Sequence, residues 1–408
     1  MILPPHLFKV ARQAYASLVF FKQPQSIILS GECGSGKSEA AKFILKYLTI
    51  VGDSSKNKIA SGLLAVNALL EAFGHARTIR NDNSSRFTKL TQLQFDHFGR
   101  LRSASIHPYA LETTRVISQD PNESNFHIFY QFLRGTPPQS KRLFKLFDSP
   151  SQYHYLSNSK STQEMDPDGF SKIMAIFNLL DISDNEIRDI FMFLSAILNL
   201  GNIQFVLQDD RIEIKDEGQL QTVSEMLQIS KEDLRNLLTH KPFDQTAVSK
   251  PQGISSLLSP RSRTNQVVHI SLEQATQNRD LLAEILYQNV FNYVVDKVNL
   301  FLKGHHITPP SDLTSLYILD VSGFEDLVCN GLDQLHINLI DDVVHSHLYE
   351  KLKAEQELYK KDGLKWSHID IPEFCGCTDV LIKSKGIMDI IDEESRNPSG
   401  STETLIQK

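Results

Sequence analysis

Cysteine is scarce. Cys33, Cys329, Cys375 and Cys377 are the only four in 408 residues, too few and too scattered for a disulfide framework, which points to a reducing compartment. Cys375-Gly-Cys377 invites a metal reading with His345 and His347, but no second close cysteine pair accompanies it. Two small residues in a turn or packed strand is the preferred reading. Long apolar runs are missing as well; none approaches the ~20 residues a bilayer requires, so no transmembrane segment is expected. The opening MILPPHLFKVARQAYASLVFF has neither a charged leading region nor a small-residue cleavage site, so it does not read as a signal peptide. A formal charge of −7 gives no general drive toward nucleic acid or anionic membrane, and no nucleic-acid partner is expected. No internal repeat is visible. What remains is globular composition, 41% hydrophobic and 22% charged, in a chain long enough for a large core. A soluble, cytoplasmic protein is expected.

Helical spacing opens the chain in LFKVARQAYASLVF, and Ser26 to Ser30 is a short apolar run that reads as a buried strand. A glycine-rich turn and a helix from Glu39 to Leu48 follow it. Residues 51 to 60 read as a surface loop, and helical periodicity resumes from Ser61 to Phe73. Alternation on both sides of Phe98-Gly99-Arg100 predicts a hairpin. Residues 124 to 200 read as mostly helical with a break near Gly135-Thr-Pro-Pro, and Lys241 to Asn265 reads as a long loop. Leu272 to Leu302 reads as one long helix, Leu316 to Asp320 as a second apolar strand, and Gln334 to Lys361 as another long helix. The closing NPSGSTETLIQK is polar and is expected to fray.

The strongest chemical signal is Gly31-Glu32-Cys33-Gly34-Ser35-Gly36-Lys37-Ser38, which fits G-x-x-x-x-G-K-[ST]. Glycines let the backbone curl so that successive N–H groups point at phosphate oxygens, and the helix that starts there adds its positive dipole end. Lys37 can reach β- and γ-phosphates, and Ser38 can ligate Mg²⁺. The position between an apolar strand and a helix supports phosphate binding over a structural glycine turn. Two further segments are weak alone. Asn81-Asp82-Asn83-Ser84-Ser85-Arg86-Phe87 could be a turn. Asp320-Val321-Ser322-Gly323-Phe324-Glu325 follows the second strand, where an acidic residue can hold the water shell of Mg²⁺ and a glycine N–H can approach the γ-phosphate. In this order the three signals reinforce one another.

That ordered trio is shared by myosins and kinesins. Phe87-Thr88-Lys89 after Arg86 is similar to the R-F-G-K of myosins, where kinesins would show a histidine soon after the arginine. Leu70-Glu-Ala-Phe-Gly-His75, Leu111-Glu-Thr-Thr-Arg115-Val, Asn125-Phe-His-Ile-Phe-Tyr130, Ile197-Leu-Asn-Leu-Gly-Asn202, Arg279-Asp280 and Asn330-Gly-Leu-Asp-Gln334-Leu-His-Ile-Asn338 also look like myosin blocks. The chain therefore resembles a divergent unconventional myosin motor head along its whole length.

The resemblance implies an α/β fold: a P-loop NTPase core with a central mixed sheet flanked by helices, plus a large, mostly helical insertion. It implies a P-loop nucleotide-binding region over 1–74, switch I and an upper fifty-kilodalton-like helical region over 75–310, and the switch II strand, relay helix and start of the lower region over 311–408. All three belong to one partial motor domain. It implies Mg²⁺ and ATP as cofactors, with Gly31, Glu32, Cys33, Gly34, Ser35, Gly36, Lys37, Ser38 and Asn81 around the nucleotide. Ser38 and Ser85 would complete the metal shell with Asp320 behind it. Ser84 would lie near the attacking water, the Gly323 N–H would sense the γ-phosphate, and Arg86 and Glu325 would form the ion pair that closes the site. Removing one partner of such a pair, if buried, costs ~3–5 kcal/mol.

Actin filaments, an ATPase activity, a cytoskeletal location and light chains or calmodulin on regions outside these residues also follow from the resemblance. So does the expectation that the leading sheet strands, converter and lever lie outside the chain. A scaffold that binds nucleotide or actin without productive motion is the alternative. Cys33, Ser35 and Ser38 stand where serine, alanine and threonine are usual, Thr88 stands at a common glycine, and Leu339-Ile-Asp-Asp342 departs from the expected tyrosine-, asparagine- and glutamate-containing run.

Overall fold

The computed structural model describes residues 6–52, 58–157, 168–209, 211–240, 270–304, 312–327, 330–371, 375–397 and 400–408. The expected long loop over 241–265 lies outside them, as do residues 53–57 of the expected loop at 51–60 and the Pro309-Pro310 link; Val51 and residues 58–60 of that loop are helical. The chain forms two compact units, one of residues 1–29 and 38–320 and the other of residues 30–37 and 321–408.

The first unit is built on a four-stranded sheet. Eight strands are defined among the described residues: β1 (Gln25–Leu29), β2 (His75–Ala76), β3 (Ser84–Ser85), β4 (Thr88–Phe95), β5 (Leu101–Tyr109), β6 (Phe205–Gln208), β7 (Arg211–Ile214) and β8 (Thr314–Asp320). The sheet order is β1-β8-β4-β5, with β2-β3 and β6-β7 as separate pairs. β1 and β8 are parallel, while β4 is antiparallel to both β8 and β5. The sheet is therefore mixed. Register places Leu29 beside Asp320 and Asp320 beside Lys89, so the strand that feeds the glycine-rich turn ends next to the acidic end of β8.

Local chemistry explains these elements. The β4–β5 hairpin closes where Asp96 Oδ1 accepts from the N–H groups of Phe98 and Arg100, both at 2.9 Å, an Asx-type turn that presets the reversal. Helix Leu272–Leu302 starts at a capping box in which Ser271 and Gln274 satisfy each other's backbone N–H groups. It buries Leu286, Tyr287, Val290, Phe291, Val294 and Val298 at helical spacing and packs on helix Asp184–Gly201 and on β5. Helix Leu7–Phe21 packs on β1 and β8, and helix Lys58–Gly74 on β5.

The break expected near Gly135-Thr-Pro-Pro is present, between helices His127–Gly135 and Pro138–Leu143, and the region from 124 to 200 has further divisions. Pro138 starts a new helix, Pro138–Leu143, because proline suits the first helical position. Asp181 at φ 56° separates helix Gly169–Leu179 from Asp184–Gly201.

The second unit carries the turn at 30–37, the segment after β8 and helix Leu332–Lys361. Helices Cys375–Ile382, Ile387–Arg396 and Thr402–Gln407 follow. Two expectations are corrected here. Cys375-Gly-Cys377 opens a helix instead of lying in a turn or strand. The polar tail does not fray throughout: Ser401 and Thr404 form a capping box that starts the last helix, and Lys408 pairs with Glu393 at 3.1 Å and Glu394 at 2.9 Å. Capping overrides the low apolar content over this one turn. Among the described residues no helix is long and apolar enough to cross a membrane.

Candidate functional site

In the second unit, residues 31–36 curl as the motif requires. Gly34 and Gly36 have φ of 85° and 88°, a region in which a Cβ is strained. The Ser35 N–H bonds to Glu32 O at 3.2 Å, and helix Lys37–Val51 begins immediately. The amine of Lys37 donates to Gly31 O at 2.6 Å and to Glu32 O at 2.7 Å, so it is drawn onto its own loop. Gly323 lies directly against this loop. A Cβ there would come within 2.5 Å of both Cys33 N and Lys37 Nζ, so only glycine permits the approach. Glu325 is buried, and Asn338 clamps its backbone: Asn338 Oδ1 accepts from Glu325 N–H at 2.8 Å, and Asn338 Nδ2 donates to Glu325 O at 2.7 Å. The unit thus brings Gly31 to Lys37 together with Gly323.

The first unit holds the remaining predicted residues. Ser38 stands in the first turn of helix Lys37–Val51. Asn81 turns its side chain on its own segment, accepting from Asn83 N–H at 3.1 Å and donating to Asn83 O at 3.3 Å. Ser84 and Ser85 form β3, and Ser85 Oγ donates to Phe87 O at 2.8 Å. Asp320 is buried at the end of β8, in register with Lys89. The Lys89 amine donates to Asn67 Oδ1 at 3.1 Å; burial lowers its pKa, partly offset by the charge of Asp320.

Arg86 is almost wholly buried, at 1% exposure. Its Nε donates to Glu112 Oε2 at 2.6 Å and its Nη1 to Ser84 Oγ at 3.2 Å. Arg115 shares the same carboxylate at 2.6 Å and reaches Glu123 at 2.8 Å. Burial alone raises Glu112, but the charges and hydrogen bonds of Arg86 and Arg115 overcome it and hold the carboxyl at about 2. Ser84 was singled out from sequence as functional, whereas Glu112, Arg115 and Glu123 were not. The spacing of Glu112 and Arg115 within Leu111-Glu-Thr-Thr-Arg115 was the available signal. His345, weighed with the cysteines for a metal, instead lies on Ser30.

The residue types fit a phosphate group and a hard cation. The cradle offers backbone N–H groups at a helix N-terminus and a lysine. The hydroxyls of Ser38 and Ser85 and the carboxylate of Asp320 are the oxygen donors Mg²⁺ takes. A separate cavity of about 400 Å³ in the first unit, between helices Asp184–Gly201 and Leu272–Leu302, is lined by residues such as Ile190, Phe193, Leu286 and Tyr293. It contains none of the predicted site residues.

The sequence profile for the Myosin head (motor domain) matches residues 1–408. Human unconventional myosin-XV is 34% identical over 415 residues, covering 99% of this chain and 11% of that protein. Chicken unconventional myosin-Ic is 34% identical over 410 residues, covering 98% of this chain and 38% of that one. The myosin IC heavy chain of Dictyostelium discoideum is 36% identical over 427 residues, covering all of this chain and 34% of its own length. The chain spans well under half the length of these relatives.

Proposed function

The chain belongs to the myosin head (motor domain) family, and from that premise we propose that it is part of an actin-based motor that binds and hydrolyses Mg²⁺-ATP. The observation that carries the reading is the loop of the second unit. Gly34 and Gly36 take positive φ, a helix starts at Lys37, and Gly323 rests against Cys33 N and Lys37 Nζ.

Each residue then has a role. The backbone N–H groups from Glu32 to Ser38 hold phosphate oxygens, and Lys37 exchanges its bonds to Gly31 O and Glu32 O for the β- and γ-phosphates. Asn81 lines the phosphate pocket and Ser84 orients the attacking water. Ser38 and Ser85 would hold the metal through their hydroxyls, with Asp320 behind them, and Mg²⁺ when bound would neutralise phosphate charge. The Gly323 N–H meets the γ-phosphate, and Asn338 passes a shift of the Glu325 backbone to helix Leu332–Lys361. The pairing of Arg86 with Glu325 rests on the family pattern; Arg86 is meanwhile seated by Glu112 and Ser84, which fixes the direction of its guanidinium. Actin, and any light chain or calmodulin, are the partners the family indicates.

Single-turnover cleavage of Mg²⁺-ATP tests the reading. Arg86→Glu and Glu325→Arg should each abolish cleavage while leaving ATP binding measurable, and the double exchange should recover part of it. A parent chain that binds ATP and never cleaves it would leave the scaffold reading instead.

A further inference from the structure

The second unit contains a group of side chains that the proposed chemistry does not use. Ser30, the residue before the glycine-rich turn, has its Oγ in hydrogen-bond contact with His345 Nε2. On the other side of the same ring, His345 Nδ1 lies 3.5 Å from Asp341 Oδ2, one helical turn away. The Asp341 side chain is 3% exposed, and its Oδ1 has no hydrogen-bond partner. Such a carboxylate is costly to bury unless nearby positive charge compensates it. Two groups supply that compensation. Burial raises the Asp341 pKa, while His345 and Lys37 pull it down.

The spacing gives these contacts a direction. Asn338, Asp341 and His345 stand three and four residues apart, so they share one face of helix Leu332–Lys361. Asn338 holds the Glu325 backbone, Asp341 faces the charge of Lys37, and His345 meets the root of the turn at Ser30. Ser30 faces Nε2 and Asp341 faces Nδ1 of the same ring, so Asp341 sets the ring orientation that the contact with Ser30 requires.

We propose that Ser30, His345 and Asp341 form a latch joining the P-loop directly to helix Leu332–Lys361, with His345 as a positioning residue that transmits nucleotide binding to the helix alongside the Asn338 clamp. The consequence for nucleotide rests on the function proposed above; the latch itself does not. Asp341 lies in the Leu339–Asp342 run that departs from the usual family pattern.

The chain carries its own reporter. Trp366 is the only tryptophan; it donates to Gln356 Oε1 at 2.9 Å and packs on Tyr359 near the far end of the same helix. The first experiment is a double-mutant cycle in nucleotide-free protein. Ser30→Ala and His345→Ala should each lower the melting temperature by roughly 2–4 °C, the double variant should lose no more than the worse single one, and His345→Gln should recover most of the loss. The second adds Mg²⁺-ATP. His345→Ala should bind within about threefold of the parent, yet its Trp366 fluorescence change should shrink about fivefold or more, and His345→Gln should restore it. Additive losses in the cycle overturn the latch. Coupled losses with an unchanged Trp366 response overturn its role in transmission. A parent chain that binds no ATP counts against the nucleotide function, and the cycle still decides the latch.

Discussion

The two units hold their share of the predicted site by different means. In the first, Arg86 sits in a buried lattice of charge: Glu112 takes both Arg86 and Arg115 at 2.6 Å, and Arg115 continues to Glu123. In the second, the segment after β8 is positioned by shape and backbone amides. Gly323 lies against Cys33 N, and Asn338 bonds both the N–H and the carbonyl of Glu325. Charge resists displacement, because losing one member leaves its partners buried and uncompensated. A glycine contact and an amide clamp can exchange one partner for another at little cost. One unit therefore holds its arginine by buried charge, and the other holds its segment by contacts that are cheaper to exchange.

The comparison can be broken at several points. Glu112→Ala should do most damage, about 3–5 kcal/mol in chemical denaturation, because Arg86 and Arg115 both lose their shared carboxylate. Acid should reach the same lattice. Glu112 is held at about 2 against an ordinary 4.5, so its contribution is intact above pH 4.5 and is lost as pH falls toward 2, about 3 kcal/mol in all. Glu112→Gln should flatten that part of the stability–pH curve, and an unchanged curve would contradict the lattice. Gly323→Ala should act on shape: its methyl meets Cys33 N and Lys37 Nζ at 2.5 Å, costing about 1–3 kcal/mol and suppressing ATP cleavage more than ATP binding. The smallest effect should come from Cys33→Ser, within about 0.5 kcal/mol and with ATP affinity unchanged, since at this position the loop uses a backbone N–H. A large loss of affinity there would show that the thiol itself is used.

Much of this was legible in the residues. The strand, glycine turn and helix around Lys37, the hairpin around Phe98-Gly99-Arg100 and the long helix Leu272–Leu302 carry local signals, and all three are present. The insertion of β8 between β1 and β4 was not readable, because it pairs Leu29 with Asp320, residues hundreds of positions apart, and no local pattern encodes that pairing. The sequence marked Arg86 but not Glu112 as its buried partner. A glutamate near an arginine reads as surface charge until tertiary packing buries both. Ser30 and His345 were equally hidden, being 315 positions apart. Helix Cys375–Ile382 was missed because two cysteines around a glycine promise a turn, and tertiary context overrides such a weak preference.

The most direct test is equilibrium binding of ATP to the purified 408-residue chain, with and without Mg²⁺, beside Lys37→Ala. The parent should show saturable, Mg²⁺-dependent binding, and the variant, whose cradle loses its lysine contact to phosphate, affinity about 100-fold weaker or worse. A folded parent chain that binds no ATP, or a variant that binds as well as the parent, would contradict the proposed phosphate site.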